Sequence, residues 1–236
     1  MQPTTTTVGV LALQGGFAEH VALVRKAAAV LGDSFPREII AVEVRTPEEL
    51  ARCDALIIPG GESTTISFVA AQSGLLEPLR KFVKVQKKPV WGTCAGLILL
   101  SEQANATKKG GQELIGGLDV RVHRNHFGRQ VESFIAPIDL PFLKDGPFQG
   151  VFIRAPVVEK VLDADPSKKG EVTVVATLPD RVNKAKAGIS QANVQGSSGD
   201  IIAVRQGNVL GTSFHPELTP DARMHVWFMR EFVLPQ

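Results

Sequence analysis

The residues able to do chemistry lie in three short stretches. Gly92-Thr93-Cys94-Ala95-Gly96 sets a cysteine between two glycines, after the apolar Pro89-Val90-Trp91 and before a Gly- and Pro-free apolar run that starts at Leu97. A strand that turns abruptly into a helix at such a residue is a nucleophile elbow. The central residue is held in a strained conformation, and side chains in place of Gly92 and Gly96 would collide across the turn. The nucleophile would be a thiol, whose usual pKa of about 8.5 falls beside the unpaired amides of a helix N-terminus. Read alone, a single cysteine is equally an inert core residue.

The second stretch, His215-Pro216-Glu217, ends the apolar run 209–214. Pro216 lacks an amide hydrogen, so strand pairing should stop there and leave His215 at a strand terminus, where the functional groups of open α/β sheets gather. In an extended segment His215 and Glu217 point to one side, and a carboxylate there fixes the imidazole tautomer and favours its charged form. By itself the triplet is a common surface turn. With the elbow it supplies nucleophile, base and orienting carboxylate: Cys94, His215 and Glu217. In the third stretch, Ala55-Leu56-Ile57-Ile58 reads as a strand covered on both faces and runs into Pro59-Gly60-Gly61-Glu62-Ser63-Thr64-Thr65. The paired glycines let backbone amides approach a ligand closely, and Ser63 or Thr64 is expected to cap the next helix. The N–H groups of Gly61 and Ala95 are assigned as the oxyanion hole.

Holding these stretches together requires a sheet that brings distant strand ends to one edge. Residues 8–13 read as the first strand, Gln14-Gly15-Gly16 as its turn and 17–31 as a helix; the Gly-x-Gly-x-x-Gly spacing of a dinucleotide site is missing. A strand at 39–44, a short helix opened by Thr46-Pro47-Glu48-Glu49, the strand at 55–58 and helices at 64–72 and 75–85 follow. This alternation predicts an α/β fold, a mostly parallel sheet with helices on both faces. The second half reads as strands at 118–123, 131–138, 150–153, 172–178, 201–206 and 209–214, with a hairpin turn at Gln206-Gly207-Asn208. A closing helix is expected over 219–233, opened by Pro220-Asp221, with Trp227, Phe228 and Phe232 as core packing.

The 236 residues are 44% hydrophobic, enough for a covered sheet, and no linker divides them, so one domain is expected. A net charge of +2 with interleaved signs argues against a dedicated nucleic-acid surface. Two cysteines make no disulfide framework, and five scattered histidines show no metal-ligand spacing; Cys53 reads as a structural thiol and no cofactor is expected. Residues 1–7 have no secretory pattern and no stretch has the length of a membrane span, so a cytoplasmic setting is expected and the Asn105-Ala106-Thr107 sequon reads as accidental.

Pro-Gly-Gly-Glu-Ser, Gly-Thr-Cys-Ala-Gly and His-Pro-Glu, in this order, resemble the class I (triad) glutamine amidotransferases. Together with Leu13-Gln14-Gly15, the Arg124-Asn125-x-Phe127-Gly128-Arg129-Gln130 block and Phe152-Ile153-Arg154-Ala155-Pro156, they resemble the family of glutaminase subunits of pyridoxal 5'-phosphate synthase. The resemblance implies a single-domain, three-layer, flavodoxin-like fold. It also implies hydrolysis of L-glutamine to L-glutamate and ammonia through a thioester on Cys94. Gln14, Gly61, Glu62 and Ser63 would line the glutamine pocket, with Arg124 and the backbone around Ile153 and Arg154 holding the amino-acid end. The implied partner is a synthase subunit, in a hetero-oligomeric complex, that takes the ammonia to build pyridoxal 5'-phosphate from a pentose phosphate and a triose phosphate. The resemblance further implies a glutaminase that is weak until docked, with the partner completing its oxyanion loop. Without the resemblance, either arginine reads as a solvated charge.

The chain departs from the compact pattern at 180–199, a polar Gly/Ser/Asn-rich insertion expected to be a mobile surface loop, and at 32–37 and 163–170, expected as extended loops. His126 reads as a spectator. Three rivals stay open: a glutaminase serving another synthase, a cysteine peptidase or related hydrolase of similar fold, and a non-catalytic regulatory subunit. Intact Cys94, His215 and Glu217 speak against the last.

Overall fold

A computed structural model of the chain describes residues 5–105, 112–124, 133–163, 170–178 and 199–234. Five strands form its organising half: β1 (Thr5–Leu11), β2 (Glu38–Val44), β3 (Ala55–Ile58), β4 (Val90–Thr93) and β12 (Val209–Thr212). They lie in the order β2-β1-β3-β4-β12, and every neighbouring pair is parallel. The order reverses at β1, which is the flavodoxin-like arrangement, and such a reversal opens a crevice at the carboxyl ends of the strands.

Side chains of β3 alternate between two cores. Leu56 and Ile58 join Leu11, Ile66, Leu79, Phe82 and Leu97 on one face, while Ala55 and Ile57 join Val8, Val10, Val24, Trp91 and Phe228 on the other. All four residues of β3 and of β4 are buried, so neither strand could turn a polar side chain to water. The helices α1 (Phe17–Leu31), α2 (Pro47–Ala51), α3 (Ser63–Gln72), α4 (Leu76–Lys84), α5 (Ala95–Leu100) and α6 (Arg223–Phe228) cover these faces. The sheet-facing stripe of α1 is His20, Val21, Leu23, Val24, Ala27 and Leu31, spaced at helical period. The expected cap and first-turn proline of α2 are Thr46 and Pro47, and Glu49 returns a bond to the Thr46 amide.

The other half of the ten-stranded sheet is largely antiparallel. β11 (Asp200–Gln206) returns from β12 through the two residues Gly207-Asn208, with Gly207 at φ 55°. Beyond it come β9 (Val157–Val161), β6 (Leu118–His123) and β5 (Ser101–Ala104), while β10 (Thr173–Leu178) also pairs with β11. β7 (Phe134–Ile138) and β8 (Phe148–Phe152) form a separate antiparallel ribbon.

Several boundaries differ from the sequence-based expectations. β1 starts at Thr5 because its threonines pair with Glu38–Ile40 of β2. β5 and β9 were unforeseen: the polar Ser-Glu-Gln-Ala of β5 carries no strand pattern and is extended because α5 stops after six residues and the chain then pairs with β6. The closing helix expected over 219–233 starts only at Arg223 and is two pieces, α6 and a π-helical turn at Met229–Val233, with a separate 3-10 turn at Pro216–Leu218 before it. Asp221 ends the preceding loop, where Oδ1 accepts from Arg223 N at 2.9 Å. Phe228 and Phe232 are buried, and Trp227 stacks on Phe142 at 3.8 Å between ring centres. The expected 32–37 loop begins as a 3-10 turn, Gly32–Ser34. His126, residues 131–132, 164–169 and most of the expected 180–199 insertion lie outside the described residues. Among the described residues no helix is long and apolar enough to cross a membrane.

Candidate active site

Cys94 follows β4 and is the N-cap of α5, with φ 48° and ψ −98°, a backbone conformation that favours glycine. Two hydrogen bonds fix it there: Cys94 N donates to Thr212 O at 2.7 Å, and Cys94 O accepts from Ile98 N at 3.3 Å. A methyl group on Gly92 would strike the Gly96 carbonyl, and one on Gly96 would strike Ile58 O, so both flanking glycines are sterically required. The helix begins at Ala95, earlier than the apolar run from Leu97 suggested, and its six residues are too few for a large macrodipole. What remains is local: the Ala95 amide, in the first helical position, has no intrahelical acceptor.

His215 arrives on the neighbouring strand end. Its amide donates to Val151 O of β8 at 2.8 Å, and its Nδ1 lies 2.7 Å from Glu217 Oε1. The Glu217 side chain is 1% exposed. Burial works against a charge on His215, but the Cys94 sulfur that bonds it and the Glu217 carboxylate prevail and push it up to about 10. Burial opposes the charge of Glu217 as well, yet His20 and His215 hold its carboxyl well below the usual range. Such an arrangement can keep an imidazolium beside a sulfur nucleophile, with the carboxylate fixing which ring nitrogen faces it. A methyl on Gly60 would overlap the His215 ring, and one on Gly16 would meet Glu217, so these turns are cut to the shape of the pair.

Around the third stretch the structure brings Gln14, Gly61, Glu62, Ser63 and Arg124 together. Gln14 Oε1 accepts from Glu62 N at 2.8 Å and ties the turn after β1 to the loop that carries Gly61. The cap of α3 is not Ser63 or Thr64 as expected but Glu62, whose carboxylate accepts from Thr64 N at 3.1 Å and Thr65 N at 2.7 Å. A longer acidic side chain one residue earlier reaches the same amides and adds charge complementarity at the helix start. Ser63 is thereby released to donate to Gln112 Oε1 at 3.0 Å. Arg124 is 9% exposed, and its Nη2 lies 3.2 Å from Thr64 Oγ1 and 3.7 Å from Glu62 Oε1. Burial lowers its pKa against the opposing pull of Glu62. Asn105 Oδ1 accepts from Arg124 N at 2.6 Å, so the first residue of the sequon serves as a backbone anchor.

Ile153 and Arg154 follow directly on β8, whose Val151 carbonyl accepts from His215 N at 2.8 Å. The Arg154 side chain is exposed, and its φ of 46° marks a sharp turn off the strand. Cys53 is fully buried, donates to Glu49 O at 3.3 Å, and is pushed up to about 11, chiefly by burial. Among the described residues no group of three or more His, Cys, Asp or Glu side chains could hold a metal ion.

Residues that sequence reasoning passed over complete the surroundings. Trp91 Nε1 donates to Thr212 Oγ1 at 3.0 Å and bonds the strand before Cys94 to the strand before His215 across 121 residues of sequence. His20 and His225 stand fully buried behind Glu217. The available signal was a histidine inside the apolar stripe of α1, at a position where leucine or valine would otherwise serve.

Comparison with known proteins gives a consistent picture. Residues 10–234 match the SNO glutamine amidotransferase family. The chain is 48% identical to a probable pyridoxal 5'-phosphate synthase subunit PDX2 of Arabidopsis thaliana, over 95% of this chain and 85% of that protein. It is 47% identical to pyridoxal 5'-phosphate synthase subunit PdxT of Streptomyces avermitilis, over 95% and 93%. A crystal structure of a glutamine amidotransferase superposes with a TM-score of 0.69 at 40% identity, covering 94% of this chain and 97% of the other.

Proposed function

The chain belongs to the SNO glutamine amidotransferase family, and on that premise we propose that it is the glutaminase subunit of a pyridoxal 5'-phosphate synthase. The observation that carries the reading is the junction of a strained Cys94 at a helix start with a buried His215–Glu217 pair 2.7 Å apart.

In the proposed reaction the Cys94 thiolate attacks the side-chain carboxamide carbon of L-glutamine. The carbonyl electrons move onto oxygen, where the amides of Gly61 and Ala95 receive the charge. As the C–N bond breaks, imidazolium His215 donates its proton to the departing nitrogen and ammonia leaves, with a thioester on Cys94. His215, now neutral, takes a proton from water, whose oxygen attacks the thioester; glutamate departs and the thiolate–imidazolium pair is restored. Glu217 holds the imidazole by Nδ1 throughout.

A zwitterionic substrate needs opposite charges at its far end. Arg124, buried and with Thr64 Oγ1 near its guanidinium, suits the α-carboxylate, and Gln14, Glu62, Ser63 and the backbone of Ile153 and Arg154 complete the pocket. Ammonia in bulk water would be protonated and lost, so the proposed partner is a synthase subunit that accepts it within a hetero-oligomeric complex, in a cytoplasmic setting. The test is glutamate release from glutamine by the purified chain, alone and with a pyridoxal 5'-phosphate synthase subunit. We expect turnover that rises with the partner and disappears in Cys94→Ala. Absence of turnover in both conditions would overturn the reading.

A further inference from the structure

Glu217 has two oxygens, and the proposed mechanism uses one. Oε1 faces His215; Oε2 is buried, and His20 Nε2 stands 3.2 Å from it. The same Nε2 hydrogen-bonds Thr93 Oγ1 at 3.2 Å, while Oε2 has no hydrogen-bond partner among the described residues and meets the edge of the His20 ring by charge alone. On its far side, His20 Nδ1 lies 3.0 Å from His225 Nε2, and His225 Nδ1 has no hydrogen-bond partner among the described residues. Trp91 closes the column against both rings, 5.9 Å from His20 and 4.9 Å from His225 between centres. His20, Trp91 and His225 are each 0% exposed.

Elementary bookkeeping of hydrogens gives this column a direction. If His20 carried its proton on Nδ1, the bare Nε2 lone pair would face the carboxylate at 3.2 Å, a repulsive contact in a site without water screening. With the proton on Nε2, Nδ1 becomes the acceptor for His225 Nε2–H, and the unpartnered His225 Nδ1 is a bare lone pair rather than a stranded N–H. The hydrogens then run from His225 to His20 to Thr93, with the N–H edge of His20 set 3.2 Å from Glu217 Oε2, and His215 meets the carboxylate through its other oxygen. We propose that His20 is a positioning residue of the triad, holding the second oxygen of Glu217 so that the first presents squarely to His215, with His225 fixing the tautomer of His20. The inference deepens the glutaminase reading and rests on it for its catalytic consequence.

The groups that face Glu217 are His20 from α1 and His215 from its own segment; His225 from α6 stands one ring beyond, Thr93 contributes a hydroxyl from β4, and Cys94 faces His215. The experiment compares His20→Leu with His20→Gln, whose amide can still offer an N–H toward Oε2. Three quantities are read: kcat and KM for glutamine with the synthase partner present, the rate at which iodoacetamide alkylates Cys94 as a function of pH (located by peptide mapping), and the melting temperature. Carboxylate or carbonyl partners that orient a metal-bound histidine are worth about 10-fold to 100-fold, and an orienting contact in this buried triad is set on the same scale. We expect His20→Leu to lose kcat by about that much with KM within about 3-fold, and to lower alkylation at neutral pH because the thiolate–imidazolium pair is less well held. His20→Gln should recover most of both. Unchanged kcat and alkylation profile in His20→Leu at equal folded fraction would overturn the proposal, as would a loss that His20→Gln fails to recover. Alkylation needs no glutamine, so a wild-type chain that failed to hydrolyse glutamine would overturn the function and still leave this measurement decisive for the column.

Discussion

Replacing Cys94 with glycine and with alanine separates the cost of the elbow from its chemistry. Both variants remove the thiol, but only alanine keeps a Cβ at φ 48°, ψ −98°. A residue held in such a sparsely populated region costs about 1–3 kcal/mol. Glycine escapes that cost, while its greater freedom in the unfolded chain and the missing methyl contact return about 1 kcal/mol. The backbone itself should not move, because Thr212 O and Ile98 N grip it from both sides. The balance leaves about 1 kcal/mol in favour of glycine, which for a chain of this size raises the melting temperature of Cys94→Gly above that of Cys94→Ala by about 2–4 °C. Differential scanning calorimetry of the two variants, neither of which should release glutamate, reads this difference directly. If Cys94→Ala melts level with or above Cys94→Gly, the elbow stores no strain and the argument fails.

Gly60→Ala should disable the site while sparing the fold: the added methyl overlaps the His215 ring, and a displacement of that size costs about 100-fold in kcat. Near-normal turnover in a folded variant would contradict the geometry. Arg124→Lys keeps the charge but loses the planar fork beside Thr64 Oγ1, so KM for glutamine should rise about 10-fold with kcat within about 3-fold; a pure kcat effect would remove Arg124 from substrate binding. Stability should fall on both sides of neutrality. Burial holds the pKa of His225 well below 6.5, so its contribution is complete above pH 6.5 and is lost as pH falls; Glu217, also depressed, adds its loss below pH 4.5. His215 acts in the opposite sense: its contribution is complete below pH 6.5 and is lost as pH rises through about 10. Melting temperatures from pH 4 to 11 would show both slopes, with the one just below 6.5 flattened in His225→Leu; a flat profile between pH 6.5 and 5 would refute the neutral, buried state of His225.

Sequence reasoning reaches furthest where the residue type is forced by the backbone. Gly92 and Gly96 are irreplaceable because neighbouring carbonyls occupy the space of their Cβ atoms, and that requirement is written in the letters themselves. The parallel core was legible for a similar reason, since β3 is buried on both faces and must be apolar throughout. β5 was not: nothing in Ser-Glu-Gln-Ala favours an extended chain, and only β6 alongside it makes it a strand. Glu62 shows the same limit at the scale of one side chain. Ser63 and Thr64 have the stronger capping preference, but the loop geometry puts the carboxylate on the amides first. His20 was hidden because a buried histidine obeys helical periodicity as well as a leucine does, and its partner His225 is supplied by a distant segment.

The bond between Trp91 and Thr212 has a consequence for the order in which the molecule becomes chemically competent. Translation delivers β4 and its cysteine long before β12 exists, and the contact that seats one strand against the other spans 121 residues. Until that late strand is made and slots in beside β4, the thiol has neither the carbonyl that anchors its backbone nor the imidazole that follows β12. On the proposed mechanism a nascent chain therefore carries an unarmed sulfur for about half of its synthesis, and reactivity switches on in a single late event. The long-range topology that slows closure of the sheet also acts as its safety catch.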